Sequence, residues 1–297
     1  MKDKSKKIKK SWDNRIFMLV TVIIVLLLAA TCIVPFVYLL ALSLSGEGAV
    51  MRGEVFLWPK EFTTQVYESI FNDGTLLAAM RRTILLTVAY VVVCMVMTVL
   101  CAYPLSIGDL KGKKIIMAIV MFSMYFSGGL IPGYLLVSGL GLIDSYWALI
   151  LPGALSTYNM IVLRTAFAGI PTSLKEAALI DGAGDLIILT KIVLPLSKAT
   201  LATVALFYMV ARWNAVQDSM LYINDPAKYV VQARLKEMLL SMEAVEQIMQ
   251  EGDLGFRTPP ETIRSGSLVF SIIPVMIVYP FLQKYFVKGT MIGSVKG

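Results

Sequence analysis

Long apolar runs separated by short polar segments make up most of the chain. Six runs reach the roughly 20 residues that an α-helix needs to cross about 30 Å of hydrocarbon. The pattern therefore predicts an all-α membrane protein with six transmembrane helices. Glycine and proline interrupt the third and fourth runs, and irregular backbone in a membrane needs protein or water around it, so these two are expected to line a path. The six predicted spans are residues 16–43, 83–107, 115–138, 146–168, 199–219 and 266–287.

The predicted spans divide the rest of the chain into polar segments. Residues 1–15 form a basic N-terminus, residues 83–287 hold the transmembrane core, and residues 288–297 form a C-terminal tail. Residues 44–82 and 220–265 form two long loops on the same side of the membrane. The second loop has apolar residues at three-and-four spacing, which predicts a helical middle. Contact with a partner is favoured for it over a simple cap on the bundle, because long loops are more often functional than idle.

The composition supports a membrane protein. Of the 297 residues, 57% are hydrophobic and 16% are charged, against roughly 25% charged in a soluble domain. The first apolar run follows a basic start, as in a signal peptide, but its 28 residues are too many for a signal core. It is therefore interpreted as a retained anchor.

The distribution of charge predicts the orientation. Residues 1–15, 108–114, 164–198 and 284–297 together hold 17 of the 27 basic residues but only 6 of the 20 acidic ones. Because loops rich in lysine and arginine stay in the cytoplasm, both termini are expected there. The net charge of +7 reflects this asymmetry, and no nucleic-acid partner is predicted.

Several kinds of chemistry are missing from the sequence. It contains no histidine, which excludes a zinc-protease HExxH motif and a Ser-His dyad. It contains no phosphate-binding GxxxxGK[ST] loop. Cys32, Cys94 and Cys101 lie in apolar runs without paired spacing, so they are interpreted as packing residues. The chain is not expected to be an enzyme.

The segment EAALIDGAGDLIILTKIVLP, residues 176–195, carries the most specific pattern. Ser173 and Glu176 have the spacing of a capping box, which predicts a helix start at Ser173. Gly182 can adopt the positive φ that closes a helix. A second short helix is expected to start near Asp185 and to stop before Pro195.

Each of these residues also has a simpler interpretation. Glu176 alone is favoured as a cap and Gly182 as a helix terminator, while Ala177 and Ala178 are good helix formers. These interpretations leave the combination unexplained, because about 25 amphipathic residues join two spans that five could connect. An apolar surface kept in water usually marks an interaction site, so the segment is predicted to dock on another protein.

The same residues carry a family resemblance. Glu176-Ala177-Ala178, Gly182 and Ile192-Val193-Leu194-Pro195 match without a gap the EAA-x3-G-x9-I-x-L-P loop of permease subunits of bacterial ABC importers. The chain resembles the oligosaccharide-uptake branch, the maltose-type second permease subunit in particular, and permeases for pectin- or alginate-derived fragments. Further resembling segments are 56–71, 126–136, 146–153 and 279–297.

The resemblance implies a type I ABC importer fold in the bacterial cytoplasmic membrane. It implies that residues 172–187 form a coupling helix loop in a groove of an ABC ATPase dimer, which binds ATP and magnesium, so that this chain needs no cofactor. The tail at 289–297 would reach the interface of that dimer. The implied coupling residues are Ser173, Glu176, Ala177, Ala178, Asp181, Gly182 and Ala183.

The resemblance also implies further partners. These are a second permease subunit, an extracytoplasmic solute-binding protein, an oligosaccharide substrate and membrane lipid. The loop at 220–265 would contact the sugar cleft of the binding protein.

Polar side chains in the fourth and fifth spans are candidates for the substrate path, since polar groups in a membrane interior are costly. Hydrogen bonds between helices are the alternative. Arg212 and Asp218 are predicted to form a structural ion pair. The path candidates are Tyr158, Asn159, Tyr208 and Asn214.

Two other functions stay open at this stage. A secondary transporter needs no ATPase, but the chain has no visible internal repeat and almost no mid-span carboxylate. A membrane assembly protein would use the 176–195 segment to bind a partner other than an ATPase.

Overall fold

The computed structural model describes the backbone of residues 12–251 and 260–294 and the side chains of residues 16–241 and 261–280. Within these ranges the regular structure is helical and contains no strand, as the apolar pattern predicts. The helices are α1 Trp12–Ser43, α2 Glu47–Met51, α3 Gln65–Asp73, α4 Thr75–Ser106, α5 Lys113–Tyr125, α6 Leu130–Gly139, α7 Trp147–Ile150, α8 Thr157–Ala168, α9 Thr172–Ile180, α10 Asp185–Ile188, α11 Leu194–Leu196, α12 Lys198–Trp213, α13 Gln217–Tyr222, α14 Val231–Glu251 and α15 Pro260–Ser294.

Three helical segments in the described ranges are long and apolar enough to cross a membrane: Ile16–Ser43, Thr75–Ser106 and Glu261–Pro280. Two bent pairs also qualify if each forms one span. The α5–α6 pair bends by 113°, and the pair of Asp185–Leu196 with α12 bends by 84°. Length and composition therefore support three to five spans, and six stays a prediction.

The observed helices refine two predicted spans. The helix α4 begins eight residues before the predicted span at 83, because the mostly apolar residues 75–80 continue the helix beyond Arg81 and Arg82, where the predicted span stopped. The interruption expected in the fourth span, 146–168, is confirmed. Pro152 lies in a 3₁₀ turn between α7 and α8, and Ser156 starts α8 anew by accepting the Asn159 N–H.

The helix predicted for the middle of the 220–265 loop is confirmed by α14. The C-terminal tail, 288–297, lies outside the residues whose side chains are described.

One compact unit comprises residues 1–72 and 247–270. In this unit a Cβ on Gly266 of α15 would lie 2.3 Å from Val66 Cγ1 of α3, so only glycine permits the contact. The Phe71 and Phe270 rings meet edge to face at 5.9 Å. A small core joins the last turn of α1 to α2 and is formed by Ala41, Leu42, Ala49, Val50 and Val55.

The second unit comprises residues 73–246 and 271–297. Here α4, α8 and α12 pack against one another. A first core cluster surrounds Tyr90 and Tyr208, and a second surrounds Met160, Leu163 and Phe167. The second cluster includes residues of α10 and the π-helix after it, so it positions the segment that carries the family motif.

Candidate coupling surface and substrate path

The helix α9 begins differently from the prediction. Pro171 occupies the N-cap with extended backbone and offers no side-chain hydrogen bond. Thr172 is the first helical residue, so Ser173 lies inside the first turn and the capping box with Glu176 is wrong. Proline at this point fixes the φ of the residue that enters the helix, and the Leu174 N–H of the first turn donates to the Pro171 carbonyl at 3.2 Å.

The end of α9 is confirmed in detail. Gly182 has φ +79°, and its N–H donates to the Leu179 carbonyl at 3.0 Å. The Ala183 N–H donates to the Ala178 carbonyl at 2.9 Å. These two bonds form a Schellman motif, which satisfies the last carbonyls of the helix. The chain then turns and enters α10 at Asp185, as predicted.

Side chains of the α9–α10 segment, residues 172–187, are held against the helical body. Ala178 and Ala183 are half-buried and pack on the second core cluster. The Lys175 ammonium donates to the Phe167 carbonyl at the end of α8 at 3.2 Å, and its partial burial lowers its pKa. The Tyr103 hydroxyl of α4 donates to the Asp185 carboxylate at 3.4 Å. These contacts connect the segment to α4 and α8.

The outer face of the α9–α10 segment is exposed. Ser173, Glu176, Ala177, Asp181 and Gly182 all lie on the surface, as a docking role requires. Of the seven predicted coupling residues, Ala178 and Ala183 are half-buried against the body, and their contact with a partner stays a prediction.

Four large apolar side chains of this segment are more than half exposed and are absent from the predicted coupling set. Ile180 is 86% exposed, the highest value among the exposed large apolar side chains of the described residues. Their apolar character in a polar segment was visible in the sequence, whereas the direction of each side chain depended on the Gly182 turn. The four are Leu179, Ile180, Leu186 and Ile187.

The predicted helix end before Pro195 is wrong. Residues Leu189–Val193 form a π-helix, and α11 continues through Pro195 to Leu196. Proline cannot donate to the carbonyl four residues earlier and its ring clashes there in an α-helix. The wider π turn accommodates the ring, and the chain bends by 84° before α12.

An open cavity of about 720 Å³ lies where α12 ends. It is lined on one side by Gly129 and Gly133 around the α5–α6 bend, as predicted for the interrupted third span. On the other side Asn214 and Gln217 line it from the break between α12 and α13. Asn214 also lines a second cavity of about 210 Å³ with Trp213 and apolar residues. Asn214 is thus a path candidate in an accessible position, and Gln217 is one that the sequence analysis missed.

Tyr208 is structural, so its prediction as a path residue is wrong. The side chain is 2% exposed. Its hydroxyl lies 2.7 Å from the Thr98 hydroxyl and accepts the Ser156 N–H at 3.0 Å. It therefore joins α12 to α4 and to the start of α8.

The two remaining path candidates lie on different faces of α8. Tyr158 is exposed, and its ring lies 6.3 Å from that of Phe207. Asn159 is buried beside Met160, so it is not open to a wide path. Within the described residues its side-chain amide makes no hydrogen bond.

The Arg212–Asp218 ion pair is confirmed. Arg212 is 5% exposed, and its two terminal nitrogens lie 2.5 and 3.0 Å from the Asp218 oxygens. It also donates to the Leu149 carbonyl at 3.0 Å and lies 5.8 Å from the Tyr90 ring centre. The Arg212 guanidinium thus links the end of α12 to α13, and this link sets the positions of Asn214 and Gln217.

Individual relatives show the family to which the chain belongs, although no family model matches it. The polygalacturonan/rhamnogalacturonan transport system permease protein YtcP of Bacillus subtilis (strain 168) is 41% identical over 284 residues, which are 96% of this chain and 99% of that protein. The chain belongs to the permease family of sugar ABC importers. It is accordingly a membrane-integral transport subunit.

Solved structures agree with this membership. A chain from a bacterial ABC transporter involved in the import of the acidic polysaccharide alginate is 33% identical to this permease, with a TM-score of 0.85, covering 93% of this permease and 98% of that chain. A second chain is 15% identical with a TM-score of 0.57, and it supports the fold alone. It comes from an alginate transporter in complex with an alginate pentasaccharide-bound periplasmic protein.

Tyr208→Phe is expected to destabilise the permease by about 1–3 kcal/mol, because the half-buried Ser156 N–H and the buried Thr98 hydroxyl lose their partner. The apparent melting temperature of the purified importer should fall, while the substrate concentration for half-maximal transport should not change. Tyr38→Phe, at an exposed position of α1, is the matched control and should leave both unchanged. A selective loss of substrate affinity in Tyr208→Phe would return this residue to the path.

A separate polar cluster fixes the segment before α14. The Asp144 carboxylate accepts the N–H groups of Asn224 and Asp225, both at 3.2 Å, and pairs with the Lys228 ammonium at 2.5 Å. The Tyr146 hydroxyl donates to the Lys228 carbonyl at 3.1 Å. These contacts lower the pKa of Asp144, with the Lys228 bond as the largest cause, and raise the pKa of Lys228. We refer to them as the Asp144 clasp.

The Asp144 clasp should open in acid. A carboxyl whose pKa is depressed by folding stabilises the structure above its unfolded pKa, here 3.8, and loses that contribution as pH falls through the folded value. Hydrogen exchange at Asn224 and Asp225, corrected for intrinsic rates, should lose protection as pH falls below about 4. Asp144→Asn should abolish the pH dependence, and equal curves for the two proteins would contradict the assignment.

Proposed function

We propose that this permease moves an oligosaccharide, derived from a polysaccharide, across the bacterial cytoplasmic membrane with energy from ATP hydrolysed by a separate subunit. The names of its relatives support this substrate class, since one transports polygalacturonan and rhamnogalacturonan and a structural neighbour takes part in alginate import. Asn214 and Gln217 supply hydrogen-bonding groups where the path crosses the break after α12.

The exposed apolar face of the α9–α10 segment carries the proposal of ATP coupling. Ile180 and Leu186 project from it into the cytoplasm, and burying them against a partner would remove apolar surface from water. Ala178, Ala183 and Lys175 bind the opposite side of the segment to the body. Closure of an ATPase dimer would therefore push on the ends of α4 and α8.

The remaining partners follow from the same proposal. The ATPase dimer binds ATP and magnesium, and this chain has no phosphate-binding loop of its own. A second permease subunit completes the pore, and an extracytoplasmic solute-binding protein delivers the sugar. The charge distribution favours cytoplasmic positions for both termini and for the α9–α10 segment.

The test is ATPase activity in lipid nanodiscs containing this chain, a second permease and an ATPase encoded beside it, with and without the binding protein. Loaded binding protein should stimulate hydrolysis. Ile180→Glu should remove the ATPase from the purified complex, while Ile187→Val, a small change on the same face, should not.

Two outcomes would favour the alternative functions. Uptake driven by an ion gradient without ATP would identify a secondary transporter. A complex that never recruits an ATPase and transports nothing would favour a membrane assembly protein.

A further inference from the structure

A cavity of about 460 Å³ lies between the first turns of α4 and residues 226–234. Its volume falls within the roughly 300–1,000 Å³ typical of small-molecule sites. It is distinct from the cavity lined by Asn214, and no step of the proposed transport path uses it. Six of its lining residues are Asp73, Arg82, Pro226, Ala227, Tyr229 and Arg234.

The wall of this cavity is held in place by hydrogen bonds. The Asp144 clasp fixes Asn224, Asp225 and Lys228 on one side. On the other side, the Val231 N–H donates to the Thr83 hydroxyl of α4 at 2.8 Å. A cavity with fixed walls binds its ligand without an ordering cost, which is a property of binding sites rather than of surface grooves.

Arg82 is the unsatisfied group in the cavity. It is half-buried, and within the described residues it forms no ion pair or hydrogen bond. The other charged groups already have partners. The Arg234 Nη1 atom lies 2.5 Å from Glu237 Oε2, and the Asp73 carboxylate accepts a hydrogen bond from the Thr75 hydroxyl. The planar fork of Arg82 thus remains free to bind an anionic group.

We propose that this cavity binds one uronate unit of an acidic oligosaccharide, with its carboxylate on Arg82. The arginine fork matches a carboxylate in two parallel bonds. Asp73 and Arg234 offer an acceptor and a donor for sugar hydroxyls, and Tyr229 offers a ring edge or face beside the apolar Pro226. This mixture suits a ligand with one negative charge and several hydroxyls.

The inference rests on the proposed function, because it requires that α4 begins on the side from which sugar arrives. Substrate would then bind first in this cavity, next to the loop that is expected to contact the binding protein. A carboxylate of the binding protein itself is the competing occupant of Arg82, and the test below separates the two.

The experiment is a calorimetric titration of trigalacturonate, and of maltotriose as a neutral probe of the same length, onto the assembled importer in nanodiscs without binding protein or ATP. Arg82→Gln should weaken trigalacturonate binding at least about tenfold, as expected for loss of a charge-assisted bidentate pair. Maltotriose binding should not change. The trigalacturonate affinity of Arg82→Lys should lie between those of Arg82→Gln and the unsubstituted protein. Arg81→Gln, at the exposed neighbouring position, should bind trigalacturonate as tightly as the unsubstituted protein.

Three results would overturn the inference. These are no binding of trigalacturonate to the unsubstituted importer, equal binding by Arg82→Gln, and equal weakening of both sugars. A fourth measurement tests the competing occupant: if Arg82→Gln weakens docking of the sugar-free binding protein but not trigalacturonate affinity, Arg82 contacts that protein. The titration needs no ATP hydrolysis, so failure of the proposed coupling would appear separately in the ATPase assay.

Discussion

Gly182→Asp is expected to reduce binding-protein-stimulated ATPase activity and transport at least about tenfold, because it places an unpaired carboxylate where a partner would bury it. Gly182 lies on the exposed turn between α9 and α10 with φ +79°. No atom lies within 4 Å of the position of a new Cβ, so the fold should survive. The backbone strain of a side chain at this positive φ costs about 1–2 kcal/mol. Uptake in membrane vesicles and the melting temperature of the purified permease measure the two effects separately.

Two variants separate the causes of that loss. Gly182→Asn keeps the size of the new side chain but not its charge, and asparagine tolerates positive φ, so it should retain most activity. Gly184→Asp adds the same charge two residues later, at an ordinary φ of −74° and in open space, and should have the smaller effect. Normal uptake in Gly182→Asp would count against the coupling role of the turn.

Arg212→Ala should produce the largest loss of stability, about 3–5 kcal/mol, because breaking a buried ion pair leaves its partners unsatisfied. Asp218 would lose both bonds to the fork, and the Leu149 carbonyl would lose its donor. The turn that carries Asn214 would then lose its anchor, so transport should fall as well. The unfolding midpoint of the purified permease in denaturant measures the first effect.

The controls for Arg212 lie in the same chain. Arg52 pairs with Glu54 and Glu61 on the surface, so Arg52→Ala should change stability little, as exposed ion pairs contribute little. A double-mutant cycle of Arg212→Ala with Asp218→Asn isolates the energy of the pair. A coupling energy near zero would show that the hydrogen bond from Arg212 to the Leu149 carbonyl, rather than the ion pair, stabilises the turn between α12 and α13.

The motif segment illustrates what a local pattern can predict. The Gly182 turn was predicted correctly, because glycine at the end of a short helix answers a local need for positive φ and for acceptors at the last carbonyls. The helix start and the path through Pro195 were predicted wrongly. Both depended on the backbone around a proline, since Pro171 takes the N-cap in place of serine and a π turn before Pro195 takes the place of a helix end.

The predictions of site residues were limited where they depended on the direction in which a side chain points. Tyr208 was chosen because it is polar within a span, and Ala178 because it belongs to the family motif. Neither criterion reports which way a side chain faces. Tyr208 instead joins three helices through its hydroxyl, and Ala178 packs inward on the second core cluster.

The sequence by itself determined the helical class, the first span at 16–43, the family and the position of the turn at Gly182, because apolar runs, glycine and an ungapped motif act through local chemistry. The tertiary structure decided which polar residues face a cavity, how the chain breaks at 214, and that Arg82 lines a cavity without a partner among the described residues. These features depend on contacts between helices far apart in the chain, and no local pattern encodes such contacts.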